Sequence, residues 1–92
     1  MTKISRRDRL KIYRDLLAVL NEEANNERTV LIRVQLQMNV PFDRLKKYIS
    51  ELRDLGLIQG ETSLKLTEKG KQYLIEYEKV LDFIKRMGIM YE

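Results

Sequence analysis

The stretch from Pro41 to Leu66, PFDRLKKYISELRDLGLIQGETSLKL, leaves few folds open to the chain that contains it. It begins at the only proline of the 92 residues. Proline suits the first turn of a helix, where no backbone donor is required. Leu45, Tyr48, Ile49, Leu52 and Leu55 then recur at steps of three and four, which predicts one apolar stripe on a helix over about 41–55. Lys46, Lys47 and Ser50 fall on the opposite side, with Asp43 and Asp54. Gly56 stops the helix, because glycine enters the left-handed region at little cost. Leu57-Ile58-Gln59 and Leu64-Lys65-Leu66 read as two short strands around Gly60-Glu61-Thr62-Ser63, a glycine-containing loop of hairpin length. Thr67 is a good N-cap and Glu68 suits the positive end of a helix dipole, so another helix opens in Leu-Thr-Glu-Lys-Gly.

The residues before this stretch supply two more helices. Ser5 and Asp8 have the spacing of a capping box, with Asp in place of the usual Glu. Leu10, Tyr13, Leu17, Leu20 and Ala24, widened by Leu16, predict a first helix over about 6–23, stopping in Asn25-Asn26-Glu27. From Arg28 to Val40 the pattern is ambiguous. Val30, Ile32, Val34, Leu36 and Met38 alternate with Leu31, Arg33, Gln35 and Gln37, which taken alone favours a strand. A helix instead groups Leu31, Val34 and Met38. Such a strand would lack an obvious partner, whereas a helix over about 31–38 completes a helix-turn-helix, with at most a residue or two of strand at Thr29.

In the last helix, Gly70 is costly for helix propensity, and a close approach to another backbone would explain it. The helix is expected to reach about Met87, with Gly88 as its cap. Tyr73, Tyr77, Val80, Ile84, Met87 and Tyr91 are spaced as a heptad seam, with Leu74 and Leu81 beside it.

The expected fold is therefore mainly α (α+β): a winged helix-turn-helix over 1–66, with a two-stranded wing at 57–66, and a long C-terminal helix in 67–92 for core packing and dimerisation. A hydrophobic share of 43% supports one core and not two. Cysteine and histidine are both absent, which excludes disulfides, zinc-finger sites, histidine bases and thiolates. The sequence contains no glycine-rich phosphate loop and no metal-ligand cluster, and Asp15, Glu22 and Glu23 read as a solvated helix end. An enzyme is disfavoured, and no cofactor or metal is expected. Without a long apolar run or a signal-peptide pattern, a soluble cytoplasmic protein with no membrane partner is expected.

Charge is unevenly distributed. Residues 1–14 hold six basic groups against Asp8, residues 15–27 hold four acids and no base, and residues 28–47 hold five bases against Asp43. Segregation of a net charge of +4 into two basic blocks favours a polyanionic partner. Against this, 35% charged residues also serve simply to solvate helices. Lys3, Arg7, Lys11 and Arg14 share one helix face, where they either touch phosphates or form such a solvated surface.

The run NVPFDRLKKYISELRDLGLI, followed by LKLTEKGKQYL, resembles the archaeal winged-helix family of small dimeric DNA-binding proteins, which includes chromatin-associated proteins and predicted transcriptional regulators. The matching residues are Asn39, Val40, Phe42, Tyr48, Ile49, Leu52, Gly56, Leu57, Ile58, Leu66, Thr67 and Gly70, with Arg33-Val34 as the family's basic-aliphatic pair. The similarity spans roughly Leu10 to Ile84. Phe42 stands where the family has tyrosine, and the basic N-terminal arm is richer than the pattern requires.

The resemblance implies a homodimer that binds double-stranded DNA and pairs through its C-terminal helix in an antiparallel coiled coil. Arg44, Lys46, Lys47 and Ser50 would lie on the helix that enters the major groove. Thr62, Ser63 and Lys65 would contribute weakly from the wing against Glu61, with Arg33, Asn39, Arg6 and Arg7 as further DNA contacts. Asp43 would repel phosphate, so it either caps the helix, the favoured reading, or reads a cytosine amino group. The dimer seam would comprise Tyr73, Tyr77, Val80, Leu81, Ile84, Met87 and Tyr91. Neither a target sequence nor a small-molecule effector is legible. The alternative is a winged-helix interaction module that joins a larger assembly without touching DNA, favoured by Glu51, Asp54 and Asp43 diluting the basic helix.

Overall fold

The structure, a computed structural model, describes residues 5–23 and 30–88, without the side chains of 5–8. The Ser5–Asp8 capping pair, the stop at Asn25-Asn26-Glu27, a strand at Thr29, the Arg6 and Arg7 side chains, and Tyr91 lie outside the described groups. Four helices run in chain order with one hairpin before the last: α1 (Ser5–Glu22), α2 (Leu31–Met38), α3 (Phe42–Asp54), β1 (Ile58–Gln59), β2 (Lys65–Leu66) and α4 (Glu68–Met87). This is the expected mainly helical fold with a two-stranded antiparallel sheet.

One core joins these elements. Tyr13, Leu16, Leu17 and Leu20 of α1 meet Val34 of α2 and Leu45, Tyr48, Ile49 and Leu52 of α3, and the hairpin adds Leu57, Ile58, Leu64 and Leu66. The stripe on α3 is buried as far as Leu52, while Leu55 is exposed beyond the helix end. Along 30–38 the chain is helical rather than extended from Leu31 onward. Val34 is fully buried, and Leu31 and Met38 pack against the core. The strand-like alternation came from Ile32 and Leu36, which the helix leaves 61% and 75% exposed.

Asn39 closes α2 in the left-handed region at φ 58°, donating its N–H to the Gln35 carbonyl at 2.7 Å. Asparagine is among the few side chains that enter this region readily. Pro41 is the N-cap of α3 and lies one residue before its first turn. The N-cap makes no side-chain bond, so the cap expected of Asp43 reduces to a favourable charge in the first turn, near the positive helix end.

A clasp at the foot of the hairpin positions α4 against α3. Gly56 turns the chain at φ 79°, so that Leu57 N–H reaches the Leu52 carbonyl at 2.9 Å. Thr67 N–H then donates to Leu57 O at 3.0 Å, and its hydroxyl donates to Gly56 O at 2.6 Å. The same hydroxyl caps α4 by accepting from Gly70 N–H at 3.1 Å. Gly70 passes so close to the backbone just before β1 that a Cβ there would stand 2.2 Å from Leu57 O. This is the close approach that its place in a helix implied. In the hairpin Ile58 pairs with Leu66 and Gln59 with Lys65, the first pair buried and the second exposed.

The first turns of α4 dock on α1. Tyr73 O–H donates to Leu10 O at 2.7 Å, and Arg14 Nη2 reaches Glu78 at 3.3 Å. Among the described residues, no hydrogen bond or ion pair joins α4 to another element beyond Glu78. Among them also, no helix is long and apolar enough to cross a membrane.

Candidate nucleic-acid interface

Burial of Leu45, Tyr48, Ile49 and Leu52 turns the opposite side of α3 to solvent. Arg44, Lys46, Lys47 and Ser50 are all exposed. None of the three cations has an ion-pair partner among the described residues. They fall on two flanks. Toward α1, Arg44 and Lys47 join Arg9, Pro41, Asp43 and Tyr48 around an open groove of about 490 Å³. On the other side, Lys46 sits 5.4 Å from the centre of the Phe42 ring, a cation–π contact that steadies the ammonium on its long stem. Phe42 and Thr62 line a second, more apolar groove with Val30, Leu31, Ile32, Glu61 and Leu64. The wing loop therefore lies on the opposite flank of α3 from the cationic groove.

Glu51 does not dilute this face as its position on α3 implied. It is turned toward α1, where Oε1 accepts from Tyr13 O–H at 2.5 Å and from Arg9 Nη1 at 3.3 Å. Arg9 also lies 6.0 Å from the centre of the Tyr13 ring, and Tyr13 meets Tyr48 edge-on with centroids 6.4 Å apart. Burial first, and the bond to Glu51 second, hold the Tyr13 phenol above its ordinary pKa. Asp43 and Asp54 remain exposed on α3.

Other basic residues have structural duties. Arg53 Nη2 donates to Gly60 O at 2.9 Å, bracing the hairpin, and Lys69 Nζ donates to Leu55 O at 2.7 Å, satisfying the end of α3. Lys11 and Arg14 both reach Asp15, so that basic face of α1 is partly neutralised by its own helix. The acidic run is accordingly not a simple solvated helix end. Glu23 is buried and accepts from Arg33 Nη1 at 3.4 Å, and only Glu22 is exposed without such a bond among the described residues. Arg33, a candidate DNA contact, thus has a partner just past the end of α1. Asn39 is exposed and serves through its backbone. On the wing, Thr62 and Lys65 are exposed and Ser63 is half-buried.

Arg9 was not among the sequence candidates. Its spacing of one helical turn before Tyr13 was the sole hint that it shares a face with the core.

Compared with known protein families, residues 6–85 match the winged helix-turn-helix family, from the first turn of α1 almost to the end of α4. The chain belongs to that family. No curated protein matches it. A winged helix-turn-helix is in general a DNA-binding architecture, in which the second helix of the motif, here α3, presents its outer face to a groove. Among the described residues of this winged helix, no group of three acidic, histidine or cysteine side chains could hold a metal ion.

Proposed function

We propose that this winged helix-turn-helix protein is a cytoplasmic homodimer that binds double-stranded DNA, as a transcriptional regulator or a nucleoid component, with α3 in the major groove. The observation that carries the proposal is the outer face of α3. Arg44, Lys46 and Lys47 are exposed and without ion-pair partners among the described residues, beside the hydroxyl of Ser50, while Glu51 is withdrawn to α1. Exposed cations on a convex helix suit phosphates and guanine edges. Thr62, Ser63 and Lys65 on the wing, and Arg6 and Arg7 in the first turn of α1, contribute contacts to the DNA backbone. Asn39 and Arg33 border the turn of the motif, where their fold roles come first.

The far half of α4 supports the dimer. Past Glu78, Val80, Phe83 and Met87 are each at least half exposed, and Leu81 and Ile84 lie beside them. A contiguous apolar face of this kind marks an interface, and a second copy of the same helix about a twofold axis would cover it. Tyr73 and Tyr77, stacked at 6.3 Å, would begin the seam and Tyr91 would end it.

The test is duplex binding by the Lys46→Ala/Lys47→Ala double variant across a salt series. Each lost phosphate contact is expected to lower the slope of log K against log salt by about one, with affinity weakened broadly across sequences. Binding indistinguishable from the parent's would remove α3 as the contact surface. The apolar α4 would then favour an interaction module within a larger assembly.

A further inference from the structure

We infer that Arg9 is a DNA-backbone contact held in reserve by Glu51, and that the groove between α1 and α3 seats one phosphodiester. The inference depends on the DNA binding proposed above, and it names a residue and a mechanism that the family's fold does not specify. Three cations from two helices converge on this groove: Arg9 from α1, and Arg44 and Lys47 from α3. Among the described residues, Asp43 is the one acid lining it. The groove is open and polar, matched to a backbone lying along it.

The hydrogen-bond pattern explains how Arg9 becomes available. Arg9 Nη1 and Tyr13 O–H donate to the same oxygen of Glu51. If the guanidinium leaves, the carboxylate keeps the phenol, which the edge-on contact with Tyr48 holds in place. The Arg9 and Glu51 side chains are 43% and 25% exposed, so theirs is an ion pair of the weak, solvent-screened kind. A guanidinium facing a phosphate forms charge-assisted, often bidentate bonds, whereas its present bond to Glu51 is single and long at 3.3 Å. Glu51 thus stands in for the phosphate in the free protein. On binding, Arg9 exchanges the carboxylate for the phosphodiester, adding one contact that counting cations on α3 alone would not predict.

Arg9→Ala, Glu51→Gln and Lys11→Ala separate the effects. Glu51→Gln keeps an oxygen to accept from Tyr13 and removes the charge that competes for Arg9. Lys11→Ala removes one charge from α1 at a residue that pairs with Asp15, away from the groove. Binding to a random-sequence duplex is measured by anisotropy between about 50 and 200 mM salt. Arg9→Ala should bind several-fold more weakly, with a salt slope reduced by about 0.9. Glu51→Gln should bind more tightly than the parent, and Lys11→Ala should retain the parent slope. Circular dichroism confirms that each variant is folded.

A parent-like slope for Arg9→Ala, an equal loss in Lys11→Ala, or no gain in Glu51→Gln would overturn the exchange. So would selective displacement of the duplex by inorganic phosphate over chloride at equal ionic strength, which would mark a small-anion pocket. A parent protein that binds no duplex at all would instead refute the DNA proposal itself.

Discussion

Gly70→Ala tests the clasp that sets α4 against the hairpin, and two effects of opposite sign compete in it. Alanine is the better helix former by about 1 kcal/mol, and Gly70 lies in the first turn of α4 with an ordinary helical backbone. On propensity alone the variant should gain stability. Its Cβ, however, would stand 2.2 Å from Leu57 O, and ordinary contact begins at 3.4 Å, so α4 and the Leu57 backbone must separate by about 1.2 Å (3.4 less 2.2). The atom in the way is backbone, in a segment fixed by Leu57 N–H to Leu52 O, and cannot swing aside as a side chain would. Moving it also breaks the 3.0 Å bond from Thr67 N–H to Leu57 O, worth about 1 kcal/mol.

Overpacking of this kind costs about 1–3 kcal/mol, which together with the lost bond exceeds the gain in propensity. The expected net loss is about 2 kcal/mol, or on the order of 10 °C in Tm for a domain of this size. Urea unfolding followed by far-ultraviolet circular dichroism measures it, at one protein concentration because the stability of the proposed dimer would depend on concentration. The midpoint should fall without a change in m. A variant as stable as the parent, or more so, would refute the claim that backbone approach dictates glycine here.

Tyr13→Phe keeps the ring against Tyr48 but deletes the bond to Glu51, and should cost about 1 kcal/mol at neutral pH. Because folding raises the Tyr13 pKa, chiefly by burial, its contribution is whole below the unfolded value of about 10 and is lost as pH rises through the folded value. Parent urea midpoints should therefore fall more steeply than the variant's above pH 10, and identical alkaline profiles would refute the assignment. In light scattering at micromolar concentration, the parent should give twice the 11.0 kDa chain mass, and Phe83→Lys should give the chain mass itself. Fully burying each large apolar side chain of the α4 face is worth about 1.5–3 kcal/mol, so a parent that is monomeric under these conditions would exclude the helix pair.

Legibility in this sequence followed the range of the interaction concerned. The stripe on α3, the stop at Gly56 and the cap at Thr67 are set by residues within four positions of one another, and could be read directly. Gly70 could be read because an unfavourable helix residue demands a tertiary cause, and Leu57 O supplies it. The segment at 30–38 resisted because exposed Ile32 and Leu36 imitate a strand's alternation, and only the docking of Val34 selects the helix. On α4, Phe83 was passed over because it flanks the heptad positions, although it is as exposed as Val80.

Charge was the least legible, since whom a long polar side chain pairs with depends on how helices dock. Glu51 counts against a basic helix in the sequence, yet docking of α1 gives it to Arg9 and Tyr13, residues 42 and 38 positions away. Glu23 reads as solvated, yet α2 brings Arg33 to it. Each exchange changes the electrostatics of α3 or its neighbour without altering a single charge in the count. Arg44, Lys46 and Lys47 make the outer face of α3 basic, and tertiary packing keeps it so by turning Glu51 to Arg9 and Tyr13.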